Sequence, residues 1–360
     1  MNSMSFDSKK TTVAIGLLIG IISAYLVKLG NPANMGFCVA CFIRDTAGAL
    51  GLHGAKGVQY IRPEIIGLVL GSFASALFAK EFKAKGGSAP MTRFVLGFFV
   101  MVGALMFLGC PFRMVLRIAG GDLNALVGLL GFAAGIFCGV FFLNKGYSLK
   151  RSYTLSSCEG AIMPIIQAIL LILLIAAPVF ILFSSNYADV KGPGKAHAAI
   201  LLSLLAGLIV GIFAQKSRFC MVGGLRDLIL FKETRLILGF ITIAFSACVV
   251  NILIGKFSLG FEGQPVAHTD ATWNFLGMLL VGLGSVLLGG CPLRQLILSG
   301  EGNTDSAITC LGLLLGAAFC HNFSLASSAK GPTLNGEIAV VLGIIVCLVI
   351  AFANINKEAN

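Results

Sequence analysis

Long apolar stretches separated by short polar loops run along almost the whole chain. Many of these stretches are about 18 to 22 residues long, which is enough for a helix to span a membrane. We predict ten spans, at about 11–29, 63–80, 92–109, 123–143, 160–184, 197–215, 236–255, 272–289, 304–323 and 336–354. The alternating strands of a transmembrane barrel are not visible in this pattern.

Four further apolar segments are too short to cross a membrane. They lie at about 36–50, 111–119, 219–230 and 292–299. A broken or irregular backbone at membrane depth is tolerated only where it is buried in protein or lines a polar cavity. We therefore predict four short re-entrant helices inside an all-α polytopic membrane protein.

Composition supports this fold class. The chain is 57% hydrophobic and 11% charged, whereas soluble domains carry about 25% charged residues. The apolar part of the N-terminal segment is too long for a signal peptide and no small-residue cleavage site follows it, so we interpret it as the first span.

The net charge of +11 is interpreted as topological and not as a sign of nucleic-acid binding. Lys and Arg collect in the loops that face the cytoplasm when the N-terminus is placed inside. The loop charges therefore predict a cytoplasmic (inner) membrane protein with both termini in the cytoplasm.

Two motifs occur twice, in the same order. "FCVACFIRD" at Phe37–Asp45 resembles "FCMVGGLRD" at Phe219–Asp227, and "GCPFR" at Gly109–Arg113 resembles "GCPLR" at Gly290–Arg294. This divides the chain into residues 1–190 and 191–360, with five spans in each half. Because five is odd, the second half would be inverted relative to the first, as in many secondary transporters.

The Gly-Cys-Pro motifs predict the start of two short helices. Proline suits the first helical position, so Cys110 and Cys291 would cap helices that begin at Pro111 and Pro292. Free backbone N–H groups and the positive end of the helix dipole then lie beside each thiol.

Arginine follows each of these cysteines by three residues, which places Arg113 and Arg294 on the thiol side of the helix. Gly109, Gly289 and Gly290 would allow close backbone approach. Such a site suits a small anion with sulfur-like character. The alternative is a proline kink with a packing cysteine.

Arg117 has Leu298 in its repeated position and is predicted to be only an outer-face charge.

The other repeated motif carries further candidates. Cys38 and Cys41 form a C-x-x-C, but Gly223 replaces Cys41 in the second half, so dithiol redox chemistry is a minor alternative. The helix-end charges of Arg44–Asp45 and Arg226–Asp227 would pair across the repeat, mark the pore mouth or act as interfacial anchors.

The remaining cysteines and the histidines do not suggest a catalytic or metal site. Packing as small hydrophobes is the interpretation for Cys138, Cys158, Cys248, Cys310, Cys320 and Cys347. The histidines lack zinc-motif spacing, and nucleotide-binding and Ser-His-Asp patterns are not visible. We therefore predict a transporter that is not an enzyme and needs no metal or cofactor.

With these motifs the chain resembles the YeeE/YedE family of sulfur-transport membrane proteins, in particular the YedE branch associated with selenium metabolism. The resemblance implies an hourglass-like fold and uptake of thiosulfate or a related anion. It implies that Cys38, Cys110 and Cys291 bind the anion in turn as it crosses the membrane. Cys220 is included only because it repeats the position of Cys38. Cys41 departs from the small residue usual at that position.

The sequence thus predicts uptake of a small sulfur- or selenium-containing anion along a cysteine-lined central path, with surrounding lipid. The resemblance also implies a cytosolic sulfur-carrier-like partner. The alternatives are a membrane sulfur or selenium transferase or redox protein that forms a cysteine persulfide, and a structural membrane subunit. Neutral thiols suit conduction because a thiolate would repel an anion, whereas covalent transfer needs the thiolate.

Overall fold

The computed structural model describes residues 8–176 and 192–355, and these residues are almost entirely helical. The helices of the first half are α1 Lys9–Lys28, α2 Val39–Ala49, α3 Pro63–Phe78, α4 Pro90–Met106, α5 Pro111–Ala119, α6 Asn124–Asn144 and α7 Ser157–Ala176. Those of the second half are α8 Ile200–Ser217, α9 Met221–Phe231, α10 Arg235–Leu253, α11 Ala271–Leu287, α12 Pro292–Gly300, α13 Thr304–Asn322 and α14 Leu334–Ala353. A 3₁₀ turn at Lys56–Val58 and an antiparallel pair of two-residue strands, β1 Lys85–Gly86 and β2 Tyr153–Thr154, complete the described elements.

The predicted helical membrane architecture is confirmed. Ten stretches of the described chain are long and apolar enough to cross a membrane, and each overlaps one predicted span. The short apolar segments form α2, α5, α9 and α12, each of 9 or 11 residues. Part of the fifth predicted span, residues 177–184, lies outside the described residues.

Helices from the two halves interlock. The first helix of each half packs on the third helix of the other, which pairs α1 with α10 and α8 with α3. The fourth helix of each half packs on the sixth of the other, which pairs α4 with α13 and α11 with α6. In the centre α4 and α11 also contact each other, so most of the core lies between the halves.

Glycine permits the close approach of these paired helices. A Cβ added at Gly71 of α3 or at Gly135 of α6 would collide with a backbone oxygen, that of Leu208 or Leu279 respectively. Membrane helices gain little from hydrophobic exclusion of lipid, so close backbone packing at small residues is what joins them.

Backbone hydrogen bonds also join a loop of each half to a short helix of the other half. The α10–α11 connection donates from Ser258 and Gly260 to the carbonyl oxygens of Gly120 and Gly121 at the end of α5. The α3–α4 connection donates in the same way from its residues Lys83 and Lys85 to Glu301 and Gly302 after α12. Each of the two short helices α5 and α12 is therefore held at its C-terminal end by a loop from the other half.

Candidate functional site

Four cysteines cap the four short helices. Cys38 and Cys220 precede α2 and α9, and their sulfurs accept from the N–H groups of Cys41 and Gly223, both at 3.4 Å. Cys110 and Cys291 precede α5 and α12, which begin at Pro111 and Pro292 as the motif predicted. A thiol therefore lies at the positive end of each short helix.

The capping thiols meet in pairs, one pair in each half. The sulfurs of Cys220 and Cys291 are 4.0 Å apart. Cys38 and Cys110 likewise interact through their side chains. Each pair thus lies at the junction of two helix N-termini.

Neighbouring backbone N–H groups reinforce this arrangement. Cys110 interacts with the N–H groups of Ala40 in α2 and Arg113 in α5. Cys291 interacts with those of Met221 in α9 and Arg294 in α12. Backbone N–H groups at helix N-termini form ready-made binding sites for anions.

Cys41 adds a third thiol to the first-half pair. Its sulfur lies 3.9 Å from the carbonyl oxygen of Leu108 and 3.7 Å from Nη1 of Arg113. Gly223 stands at this position in the second half, so the two thiol clusters differ in size.

Arg113 is fully buried and all five of its N–H groups have acceptors. Nε donates to the carbonyl oxygen of Asn34 at 3.2 Å, and Nη1 donates to Leu108 and Cys41. Nη2 donates to the carbonyl oxygens of Pro265 and Val266 at 3.3 and 3.2 Å. None of the ion pairs among the described residues includes Arg113. Its charge is therefore solvated only by neutral acceptors.

Arg294, the repeated counterpart of Arg113, has a different environment. Its Nη1 donates to Glu301 at 2.9 Å, and its side chain is 14% exposed. Glu301 stands where the first half has Gly120. The two arginines expected to attract an anion are therefore bound in different ways.

The prediction that Arg117 is an outer-face charge is wrong. Its side chain is fully buried, its Nε donates to Asp122 at 2.6 Å, and its Nη1 donates to the carbonyl oxygen of Phe107 at 2.7 Å. The guanidinium also stacks over the Phe107 ring, 4.1 Å from its centroid. Asp122 lies shortly after α5, which ends at Ala119, and supplies the counter-charge.

The repeated Arg-Asp dipeptides lie within helices rather than at their ends. Arg44 pairs with its neighbour Asp45 at 2.7 Å, and Arg226 with Asp227 at 2.8 Å, so neither pairs across the repeat. The first pair is buried, and the second is partly exposed.

Sequence reasoning missed Arg62, which completes the buried cluster around Asp45. Arg62 Nε donates to Asp45 at 2.8 Å, and its two Nη groups donate to the carbonyl oxygens of Pro193 and Ala196. No second-half motif repeats Arg62, so the repeat gave no signal for it.

The glycines of the Gly-Cys-Pro motifs make room for the arginines. A Cβ at Gly109 would lie 2.9 Å from Cδ of Arg113, and one at Gly290 would lie 3.1 Å from Cγ of Arg294. The residues before them, Leu108 and Gly289, have φ values of +61° and +80°. The left-handed turn that precedes each thiol is thus repeated, although only one half places glycine there.

All four capping thiols are closed to solvent in this structure. Their exposed fractions are 0% for Cys38, 1% for Cys110, 7% for Cys220 and 1% for Cys291. Among the other cysteines, Cys158 is exposed on α7, so the prediction that it packs as a small hydrophobe is wrong. Within 8–176 and 192–355 no cluster of three or more His, Cys, Asp or Glu could hold a metal ion.

Comparison with known proteins agrees with the motifs. Residues 216–356 match the model of the family described as "Sulphur transport". Over these residues the chain is similar to the YeeE/YedE family of sulfur-transport proteins. The family resemblance is thereby confirmed, and the matched range contains the second-half motifs with Cys220 and Cys291.

Two known proteins are similar to parts of the chain. A protein of Spirochaeta thermophila named "Thiosulfate transporter TsuA" is 32% identical over 147 residues, which are 39% of this chain and 44% of the relative. An Escherichia coli protein of the same name is 33% identical over 110 residues, 30% of each chain. The chain thus spans less than half the length of the relatives it matches.

Proposed function

We propose that this protein carries a small sulfur-containing anion, with thiosulfate as the first candidate, across the cytoplasmic membrane. The observation that supports this most is the pair of thiol sites, each at the junction of two helix N-termini. The family match and the names of the two relatives point to the same substrate class.

The chemistry of the thiol sites fits passage of an anion. Helix N-termini stabilise negative charge, and a neutral thiol can donate a weak S–H hydrogen bond to a sulfur or oxygen atom. Each interaction is weak, and conduction needs several weak sites so that the ion can leave. Cys38 and Cys110 would form one site of the path, and Cys220 and Cys291 the next.

The repeat supplies the orientation of the path. We propose that the halves are related by a pseudo-two-fold axis in the membrane plane, with both termini in the cytoplasm. The exchanged helix contacts of α1–α10 and α3–α8 support such a relation. The first-half thiols would then open outward and the second-half thiols inward.

The partners follow from this orientation. An anion that leaves Cys220 and Cys291 would meet the cytosol, where a sulfur-carrier-like protein would accept it. Selenium anions of similar size and charge form the second substrate class to test, as the resemblance to the YedE branch implies. Membrane lipid would surround the exposed apolar faces of the outer helices.

Uptake into vesicles tests the proposal. Purified protein in lipid vesicles should take up labelled thiosulfate, and sulfite and selenite serve as comparison substrates. If the thiols act as neutral donors, Cys110→Ser should keep part of the uptake, whereas Cys110→Ala should lose more because no donor remains. Absence of uptake for every anion would contradict the transport proposal.

The three-thiol cluster of Cys38, Cys41 and Cys110 favours a second candidate, persulfide formation. A thiolate would attack the outer sulfur of thiosulfate, forming a new S–S bond and releasing sulfite as the old S–S bond breaks. Equal and complete loss of uptake in both Cys110 variants, together with the mass of one added sulfur atom on the purified protein, would support this candidate.

A further inference from the structure

The α10–α11 connection contains a segment that contacts Arg113, beside the first-half thiol site. Residues 261–268, here called the outer cap, follow the hydrogen bonds that fix Ser258 and Gly260 to the end of α5. The cap then reaches Arg113, whose Nη2 donates to the carbonyl oxygens of Pro265 and Val266. Arg113 lies three residues after Cys110, so the cap lies directly over the capped end of α5.

The second half has no counterpart of the outer cap. The equivalent α3–α4 connection, residues 79–89, makes the matching bonds to Glu301 and Gly302 but is shorter than residues 254–270. Arg294 accordingly donates to Glu301 instead of to loop carbonyls. Pro265 and Val266, which contact Arg113, lie in this longer connection.

The cap is anchored at both ends and strained between them. Gln264 donates from Nε2 to the carbonyl oxygens of Ser258 and Gly260, and His268 bonds through Nε2 to the carbonyl oxygen of Met106. Between these anchors Val266 has a φ of +50°, which is unfavourable for a β-branched residue. Backbone strain of this kind persists only where surrounding contacts impose it, and it concentrates at binding sites and switches.

We propose that Arg113 Nη2 is the first binding group for the incoming anion and that the cap occupies this group when the protein is closed. The two carbonyl oxygens of Pro265 and Val266 stand where two oxygens of a tetrahedral oxyanion would bind. This inference rests on the proposed transport function. The entering anion displaces the two carbonyls, the cap lifts, and Cys110 becomes accessible.

Charge favours this exchange. A guanidinium bound to an anion gains the attraction of opposite charges in addition to its hydrogen bonds, which a neutral carbonyl does not supply. Arg113 has only neutral acceptors among the described residues, so a dianion supplies the counter-charge that the cap carbonyls lack. Release of the strained φ at Val266 also favours displacement of the cap by the anion. Chloride lacks the two oxygens and should displace the cap poorly.

Hydrogen exchange of the intact protein in lipid nanodiscs tests the cap. Gln264, Ala267 and His268 of the cap are buried. Peptides covering 261–268 should therefore exchange at least about fivefold faster with saturating thiosulfate than with chloride at equal ionic strength, the effect expected for loss of about 1 kcal/mol of stabilising contacts. Peptides covering 79–89 serve as the internal control and should not change. Unchanged or slower exchange of the cap with thiosulfate would overturn the proposal.

Matched variants separate Arg113 from its counterpart. Arg113→Lys keeps the charge but cannot hold both carbonyls in the same fork, so the cap should exchange faster without any anion and lose most of its response to thiosulfate. Arg294→Lys should leave cap exchange as in the unaltered protein. Equal effects of the two variants would contradict the assignment.

Uptake measured on the same preparations distinguishes failure of the cap from failure of transport. Thiosulfate uptake without faster cap exchange would overturn the cap and leave transport standing. Faster cap exchange without uptake of any sulfur anion would support binding at Arg113 and contradict transport.

Discussion

Buried arginines distinguish the two halves at the scale of single residues. Arg113 and Arg117 are fully buried in the first half, whereas Arg294 is partly exposed and Leu298 replaces the second arginine. A buried charge must have partners, because desolvation otherwise costs several kcal/mol. The partners of Arg117 and Arg113 are different in kind: a carboxylate for the first and backbone carbonyls for the second.

The residues that replace the Arg117–Asp122 pair in the second half provide a test of how much the pair stabilises the protein. Arg117→Leu should destabilise the protein by about 3–5 kcal/mol, because it leaves a buried carboxylate unpaired. The second half has Leu298 and Asn303 at these positions, so Arg117→Leu with Asp122→Asn should recover most of the loss. Thermal unfolding of the detergent-solubilised protein measures both. An equally unstable double variant would show that the pair has another role.

The glycines before the capping thiols should differ in tolerance. Gly109→Ala places a methyl group against Arg113, which its five hydrogen bonds hold in place, so we expect a loss of about 1–3 kcal/mol from overpacking. Gly290→Ala meets Arg294, which is partly exposed and has room to move, and should cost less. Denaturation midpoints of the two variants provide the comparison, and a larger loss at Gly290 would contradict this explanation.

At the scale of elements, each short helix places its N-terminus beside a cysteine thiol. Proline at the first position of α5 and α12 costs no hydrogen bond, and the cysteine before it caps the helix. The loops that follow α3 and α10 fix the other ends of α12 and α5. The two helices α5 and α12 are therefore held by elements from both halves.

The outer cap should loosen in acid. Burial lowers the pKa of His268 below its ordinary value of 6.5, and the charged groups facing it are Arg117, Asp122 and Asp270. A lowered pKa means that the folded state binds fewer protons than the unfolded state. The stability that neutral His268 contributes is therefore complete above pH 6.5 and is lost as the pH falls below it.

His268→Gln removes that titration and leaves the other histidines unchanged. The difference in melting temperature between the unaltered protein and this variant should therefore become smaller, or reverse, between pH 7 and pH 5 (about the range in which histidine titrates). A difference that stays constant across this range would contradict the assignment to His268.

At the scale of the whole molecule, stability comes from helices of one half packed on helices of the other. The pairs α1–α10, α3–α8, α4–α13 and α6–α11 all cross the boundary between the halves. Rigid movement of one half against the other would break these contacts. Local movement of a connecting segment such as the outer cap leaves them intact, and this favours opening by a loop.

Replacement of a glycine between paired helices should therefore affect the entire fold. Gly135→Val would force its side chain against the carbonyl oxygen of Leu279 and separate α6 from α11, with a loss of several kcal/mol. Gly54→Ala is the matched control, since no atom lies within 4 Å of the added carbon. Yield of folded monodisperse protein and melting temperature are the measurements. Similar values for the two variants would contradict close packing as the source of stability.

The sequence by itself determined the ten spans, the four short helices and the cysteine positions that begin α5 and α12. These features depend on local properties: the length of an apolar run, the missing N–H of Pro111 and Pro292, and the recurrence of a motif. Membrane helices are especially predictable because every backbone group must be bonded within its own segment.

Only the tertiary structure decided which groups surround each charge. Arg113 bonds to Asn34 and Pro265, and Arg62 bonds to Pro193, all distant along the chain and joined through backbone carbonyls. A carbonyl is present at every residue, so no residue type marks such a partner. For this reason the repeat predicted equal roles for Arg113 and Arg294, whereas the structure gives the two arginines different hydrogen-bond partners.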